Sequence, residues 1–143
     1  MWDLFLKKKI DDPIGEARRY VANAHEVLRK HGKLDVEMGR YEDSKYVKAA
    51  GHYLWTGSLI ALEAVFRVEE KKKKLKGKDR RVSVDDYTSA ISDRDNKLLR
   101  WVVDGYQIMH LYMGYDGIQS KNTCQDGFDI ANNIIDRCET LLA

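Results

Sequence analysis

Between Ser44 and Val68 the chain reads SKYVKAAGHYLWTGSLIALEAVFRV, and its apolar residues recur at intervals of three and four. At about 100° per residue, Tyr46, Ala50, Tyr53, Gly57, Ile60, Ala61, Ala64 and Val68 form one stripe along a helix. Ala50, Gly57, Ala61 and Ala64 keep the middle of that stripe small, so a neighbouring helix can approach closely. Trp55, Leu59, Leu62 and Phe66 form a second stripe on roughly the opposite side. A helix that is apolar on two sides must be covered on two sides. The segment is therefore expected to be the central helix of a bundle, or to face a second subunit as well.

The other segments follow the same period. Asp12 and Pro13 read as the N-cap and first position of a helix to about Arg29, because proline lacks an amide hydrogen that would be unpaired there. Its stripe is Ile14, Ala17, Val21, Ala24 and Leu28, and Gly32 reads as the residue that ends it. Lys33 to Asp43 is a connection. Ser83 and Asp86 stand at capping-box spacing before a short helix from Val84 to about Ile91. A long helix from about Asp93 to Tyr115 carries Leu98, Val102, Tyr106, Met109 and Met113 on one stripe. Trp101, Gly105, Ile108, Tyr112 and Tyr115 lie on a second stripe beside it. This helix is expected to be as buried as the one before it, and to pair with it at the centre. A last helix from about Thr123 to Leu142 has Phe128, Ala131, Ile134, Ile135, Cys138, Leu141 and Leu142 on one face and Asp126, Asp129, Asn133, Asp136, Arg137 and Thr140 on the other. No run alternates with period two long enough to demand a sheet. The expected fold is all-α, an up-and-down bundle of four to five helices.

Composition narrows the picture. At 143 residues the chain is expected to form one domain (residues 1–143), with a lead-in segment at 1–11 and a basic loop at 71–82. A 43% hydrophobic content fills a core, and the longest apolar run falls far short of the ~20 residues that span a bilayer. The N-terminus, with Trp2, Leu4, Phe5, Leu6, Lys7 to Lys9 and Ile10, lacks the order of a secretory signal. It is expected to dock on the bundle rather than on a membrane, and a cytoplasmic location is expected. Cys124 and Cys138 fit a reducing compartment as buried free thiols. Large apolar residues beyond what one bundle hides predict a homodimer through Trp55, Leu59, Leu62, Phe66, Trp101 and Tyr112.

Net charge is only +2, but it is uneven. Lys71 to Arg81 holds eight basic residues and one acid, so a basic loop rides on a mildly acidic remainder. Lys71, Lys72, Lys73, Lys74, Arg80 and Arg81 are candidates for contact with a polyanion such as nucleic acid. No aromatic residue is interleaved to stack a base, which favours a solvated loop.

Motifs for known chemistries are absent. There is no Glu-x-x-His for a di-iron bundle, no HExxH, no P-loop, no GxGxxG and no GxSxG. No cysteine or histidine spacing fits zinc, and no cofactor or metal is expected. His52 and His110 read as polar residues at the bundle edge. Tyr46, Tyr53, Tyr106 and Tyr112 could line a small-ligand pocket, although core anchoring accounts for the same residues.

The block from Ala50 to Ala64, AGHYLWTGSLIALEA, together with the Tyr- and Ala-bearing helix before it, resembles helical HEPN-type domains. It is most similar to a small bacterial family of uncharacterised four-helix proteins, over most of the first three helices. The resemblance implies a helical bundle that commonly dimerises. Some such domains are ribonucleases with an Arg-x(4–6)-His motif, and others bind nucleotides or assist a nucleotidyltransferase. Arg19 and His25 have that spacing here, but in the first helix rather than a late one. Six positions also leave them ~120° apart around the axis. The leading expectation is a non-enzymatic interaction or accessory module with a protein partner. The alternative is a ribonuclease, or another nucleic-acid-processing protein, using His25 as acid or base and Arg19 to stabilise phosphate charge.

Overall fold

The computed structural model describes residues 11–74 and 81–143. The lead-in segment through Ile10 and residues 75–80 of the basic loop, with Arg80, lie outside the described residues. The rest is mostly helical. Helix α1 (Pro13–Val27) continues as a π turn (Leu28–Gly32), followed by two-residue strands β1 (Leu34–Asp35) and β2 (Arg40–Tyr41). Helix α2 (Ser44–Phe66) is followed by short helices α3 (Val68–Lys73) and α4 (Val84–Ile91). Helix α5 (Asn96–Gly105) continues as a π-helix (Tyr106–Tyr115), and α6 (Lys121–Leu142) completes the chain.

Capping residues set the starts. Asp12 accepts the amide of Gly15 at 2.9 Å, with Pro13 at the first helical position. Asp43, Asp95 and Ser120 do the same for α2, α5 and α6. Ser83 and Asp86 exchange both bonds of a capping box.

The four long helices run alternately up and down. His31 stacks on Tyr46 and Tyr20 tilts against Tyr53, so α1 and α2 are antiparallel. Trp55 meets Tyr106 and Phe66 lies under Arg94, which runs α5 back along α2. Asp95 bonds Arg137, and Arg18 bonds Asp136 and Glu139, which close the ring through α6. Helix α2 packs against α1, the π-helix and α6. It is the central helix, and its small residues explain how three neighbours fit. A Cβ on Gly57 would stand 2.9 Å from the Ala17 carbonyl oxygen of α1. A Cβ on Gly51 would stand 2.5 Å from the Gly114 nitrogen and 2.6 Å from the Met109 oxygen.

Several expectations are corrected. Helix α2 stops at Phe66, and Arg67 takes a left-handed conformation (φ 52°) before α3 starts afresh. Glu63 makes that break possible: its carboxylate accepts the amides of Glu69 and Glu70, satisfying the new helix end. The first helix ends at Lys33 (φ 55°) rather than at Gly32, which is buried. The helix from Asp93 to Tyr115 starts at Asn96 and changes from α to π geometry at Tyr106. It is also less buried than α2. Leu98, Val102, Gly105, Met109 and Met113 are inside, but Tyr112 and Tyr115 of its second stripe are 38% and 75% exposed. The reason is position. Helix α2 has long helices on three sides, whereas the π-helix that carries those tyrosines has α2 and α6 beside it.

The same geometry removes the premise for a dimer through the second stripe of α2. Trp55, Leu59, Leu62 and Phe66 are all buried within the chain itself. Trp55 is covered by Tyr106 and His110, and Phe66 by Arg94. Trp101 is half-buried, with the Lys97 ammonium over its ring.

Candidate interaction surface

The connection between α1 and α2 forms a strap across one end of the bundle. Leu34 pairs with Tyr41 and Asp35 with Arg40, in an antiparallel hairpin. Asp35 accepts the Met38 amide at 3.1 Å, and Gly39 supplies the positive φ that the turn needs. The free side of β2 then bonds to the loop before α6. The Tyr41 amide donates to the Gln119 carbonyl and the Lys121 amide to the Gly39 carbonyl, each at 2.9 Å. The Gln119 side chain returns two bonds to the carbonyls of Tyr41 and Glu42. The strap is therefore tied by backbone and side-chain bonds to the loop after the π-helix and to the start of α6.

Its side chains are not covered. Val36 is 80% exposed and Met38 67%, with Leu34 beside them. Tyr112, Tyr115 and Ile118 are exposed on the adjoining π-helix and loop. Six of the nine large exposed hydrophobic residues among those described lie at this end of the bundle. Isolated exposed apolar residues are ordinary, whereas a concentration of them marks an interaction site. Sequence reasoning missed Val36 and Met38 because they lie outside any helical stripe. The signal that could have found them is their type: valine and methionine in a connection otherwise rich in charge.

The π-helix helps build this surface. Such helices occur mostly as single turns, often at functional sites, and ten residues is long. Its wider winding carries Gly114 against Gly51 and leaves Tyr112 and Tyr115 outward. Further back, Trp55, Tyr106 and His110 form a ring cluster with centroids 5.2 to 6.0 Å apart. Burial, and then the charge of His52, hold His110 below the usual imidazole range. His52 itself is exposed at the bundle edge.

Arg19 and His25 are not brought together. Arg19 is exposed and pairs with Glu16 at 3.0 Å, one turn away. His25 lies flat on the Phe128 ring, with centroids 3.8 Å apart. Arg18, rather than Arg19, reaches α6, where it bridges Asp136 and Glu139. Two members of the basic run are engaged within the chain. Lys72 pairs with Asp86 and donates to the Arg81 carbonyl, and Lys73 pairs with Glu69. Burial alone would raise the Asp86 carboxyl, but the Ser83 amide and Lys72 outweigh it and hold Asp86 low. Lys71 and Lys74 are exposed. The four tyrosines considered for a pocket are spread out: Tyr46 and Tyr53 face α1, and Tyr106 and Tyr112 lie on the π-helix. Cys124 and Cys138 are free and buried, and burial pushes their thiols to about 11 and about 12, where a thiolate is scarce. Among the described residues, no three histidine, cysteine, aspartate or glutamate side chains gather as a metal site.

Residues 12–140 match DUF5618, a domain of unknown function, a span that takes in the four long helices except the last two residues of α6. The chain belongs to that family. A protein of unknown function from Dyadobacter fermentans is similar in structure, with a TM-score of 0.80 and 36% sequence identity. The match covers 95% of this chain and 100% of that one. No curated protein matches. DUF5618 is thus an uncharacterised helical family, and no helix among the described residues is long and apolar enough to cross a membrane.

Proposed function

We propose that this DUF5618 chain is a non-enzymatic interaction or accessory module of HEPN-like type, a single domain acting in the cytoplasm. Its working surface is the strap end, formed by Val36 and Met38 with Tyr115 and Ile118 of the adjoining segment. The observation that carries this reading is the concentration of exposed apolar side chains on a strap that backbone bonds tie to the loop before α6. Such a surface is held rigidly, so little conformational entropy is lost when a protein covers it. Arg19 and His25 give no comparable support to catalysis, since each is engaged with a different neighbour. The basic residues Lys71 and Lys74 remain available for a weak, salt-dependent contact with a polyanion.

The test is reconstitution with the product of the adjacent gene, followed by calorimetry. Binding that weakens in Val36→Asp and Tyr115→Ser supports the reading. RNA cleavage by the wild-type chain that disappears in Arg19→Ala or His25→Ala would replace it with the ribonuclease reading.

A further inference from the structure

We infer that the outer face of α2, around Thr56, is the docking site of the chain's own lead-in segment through Ile10. The helical phase of α2 singles out that face. The long neighbours of α2 reach it through other residues: α1 through Tyr53 and Gly57, the π-helix through Gly51 and Trp55, and α6 through Leu54, which comes within 3.5 Å of a Cβ on Gly127. At about 100° per residue, Thr56 points between α1 and the π-helix, on the side away from α6. No long helix among the described residues packs there. One turn earlier on that side His52 is exposed, and two turns later Glu63 is engaged with α3 and α4. Thr56 between them is nevertheless only 2% exposed. Its hydroxyl is sealed from solvent and bonds no described residue, which calls for an apolar cover.

Two stretches lie outside the described residues, and they differ in what they offer. Residues 75–80 read LKGKDR, with a single apolar side chain, and follow α3 beyond the Glu63 end. The lead-in segment carries Trp2, Leu4, Phe5, Leu6 and Ile10, and of these Trp2, Phe5, Leu6 and Ile10 recur at helical spacing. It joins α1 at Asp11, and α1 borders the face in question, since the Ala17 carbonyl lies against Gly57, the residue after Thr56. Ala17 stands about 9 Å along the α1 axis from Asp11. The segment spans about 15 Å as a helix and about 33 Å extended, so it reaches Thr56 either way. The tether also holds it at an effective concentration on the order of millimolar, which favours it over a free partner. This contact is separate from the strap end and does not depend on the role proposed for it.

The experiment is thiol labelling of Thr56→Cys in the full chain, where both native cysteines are buried and wild type gives the background rate. With the lead-in segment intact, the new thiol should react only as fast as local opening allows. Trp2→Ser, Leu4→Ser, Phe5→Ser and Leu6→Ser together should raise that rate at least about tenfold, with circular dichroism showing a folded helical chain. A rate that the four serines leave unchanged overturns the inference. So does protection of Thr56→Cys that is lost on dilution, because a second copy is then the cover. A second measurement needs no destabilising variant. The tryptophan emission of wild type less that of Trp2→Phe reports Trp2 alone, and acrylamide should quench it poorly. Quenching as strong as that of free indole overturns the inference as well.

Discussion

The two ends of the bundle are finished in opposite ways. At the end where α2 stops, polar groups are tied to one another. Glu63 accepts the amides of Glu69 and Glu70 and the Tyr87 hydroxyl, and so joins α2, α3 and α4. Asp95 caps α5 and pairs with Arg137 of α6 at 2.6 Å. Phe66, Val68, Tyr87 and Ile91 are buried there, and Leu141 and Leu142 at the end of α6 are partly exposed. At the strap end the backbone is tied to the loop before α6, but Val36, Met38 and Tyr115 stand in water. The contrast separates stability from recognition. One end spends its side chains on holding helices together, and the other leaves them outward where a second molecule can use them.

Substitutions can break that contrast, and the largest effect is expected where the ends join, along α2. Gly51→Val places carbon atoms against the backbone of Gly114 and Met109, neither of which can swing aside. A loss of about 3 kcal/mol or more is expected in denaturant unfolding. Gly39→Ala, in the strap turn, has open space around its Cβ and meets only the cost of a positive φ. That change should lose about 1–2 kcal/mol.

Next is Asp95→Ala, which removes both a helix cap and an ion pair, for an expected loss of about 2–3 kcal/mol. Burial pushes the Asp95 carboxyl up, but Arg137 and the Leu98 amide outweigh it and leave it below the usual range. The unfolded chain therefore binds this proton at a higher pH than the folded chain does. The contribution is present above the ordinary aspartate range and is lost as pH falls through the lower folded value. Acid titration of thermal stability should be flatter in the variant than in wild type.

Glu63→Gln should be milder, about 1–2 kcal/mol, because an amide oxygen in place of Oε1 can still accept two of the three bonds. Hydrogen exchange should show the loss concentrated in α3 and α4, with α1 and α6 protected as before. The smallest effect is expected at the strap surface. Val36→Asp and Met38→Asp should change the stability of the separated chain by no more than about 0.5 kcal/mol, since both side chains are exposed. Losses from Val36→Asp or Met38→Asp as large as that from Asp95→Ala would remove the distinction between the ends.

The readable part of the fold was its periodicity and its caps. Asp12 with Pro13, the Ser83 and Asp86 box, and the stripes of the long helices all depend on residues within a few positions of each other. The central place of Ser44 to Phe66 was also legible, because small residues on one stripe and large ones on another can be satisfied only by neighbours on several sides. The site was mostly illegible. Val36 and Met38 carry no periodic signal, and their exposure depends on Gln119 and Lys121, some eighty residues away, holding the strap in place.

Local order thus came from the chain itself: which segments are helical, where several begin, and which one must lie at the centre. Assembly decided what those segments leave outside. The stripe of Trp55, Leu59, Leu62 and Phe66 is buried because the segment from Arg94 to the π-helix folds back over it, and Gly51 and Gly114 let two backbones come into contact there. A side chain's own chemistry sets how strongly it avoids water, but only the packing of distant segments determines whether it escapes.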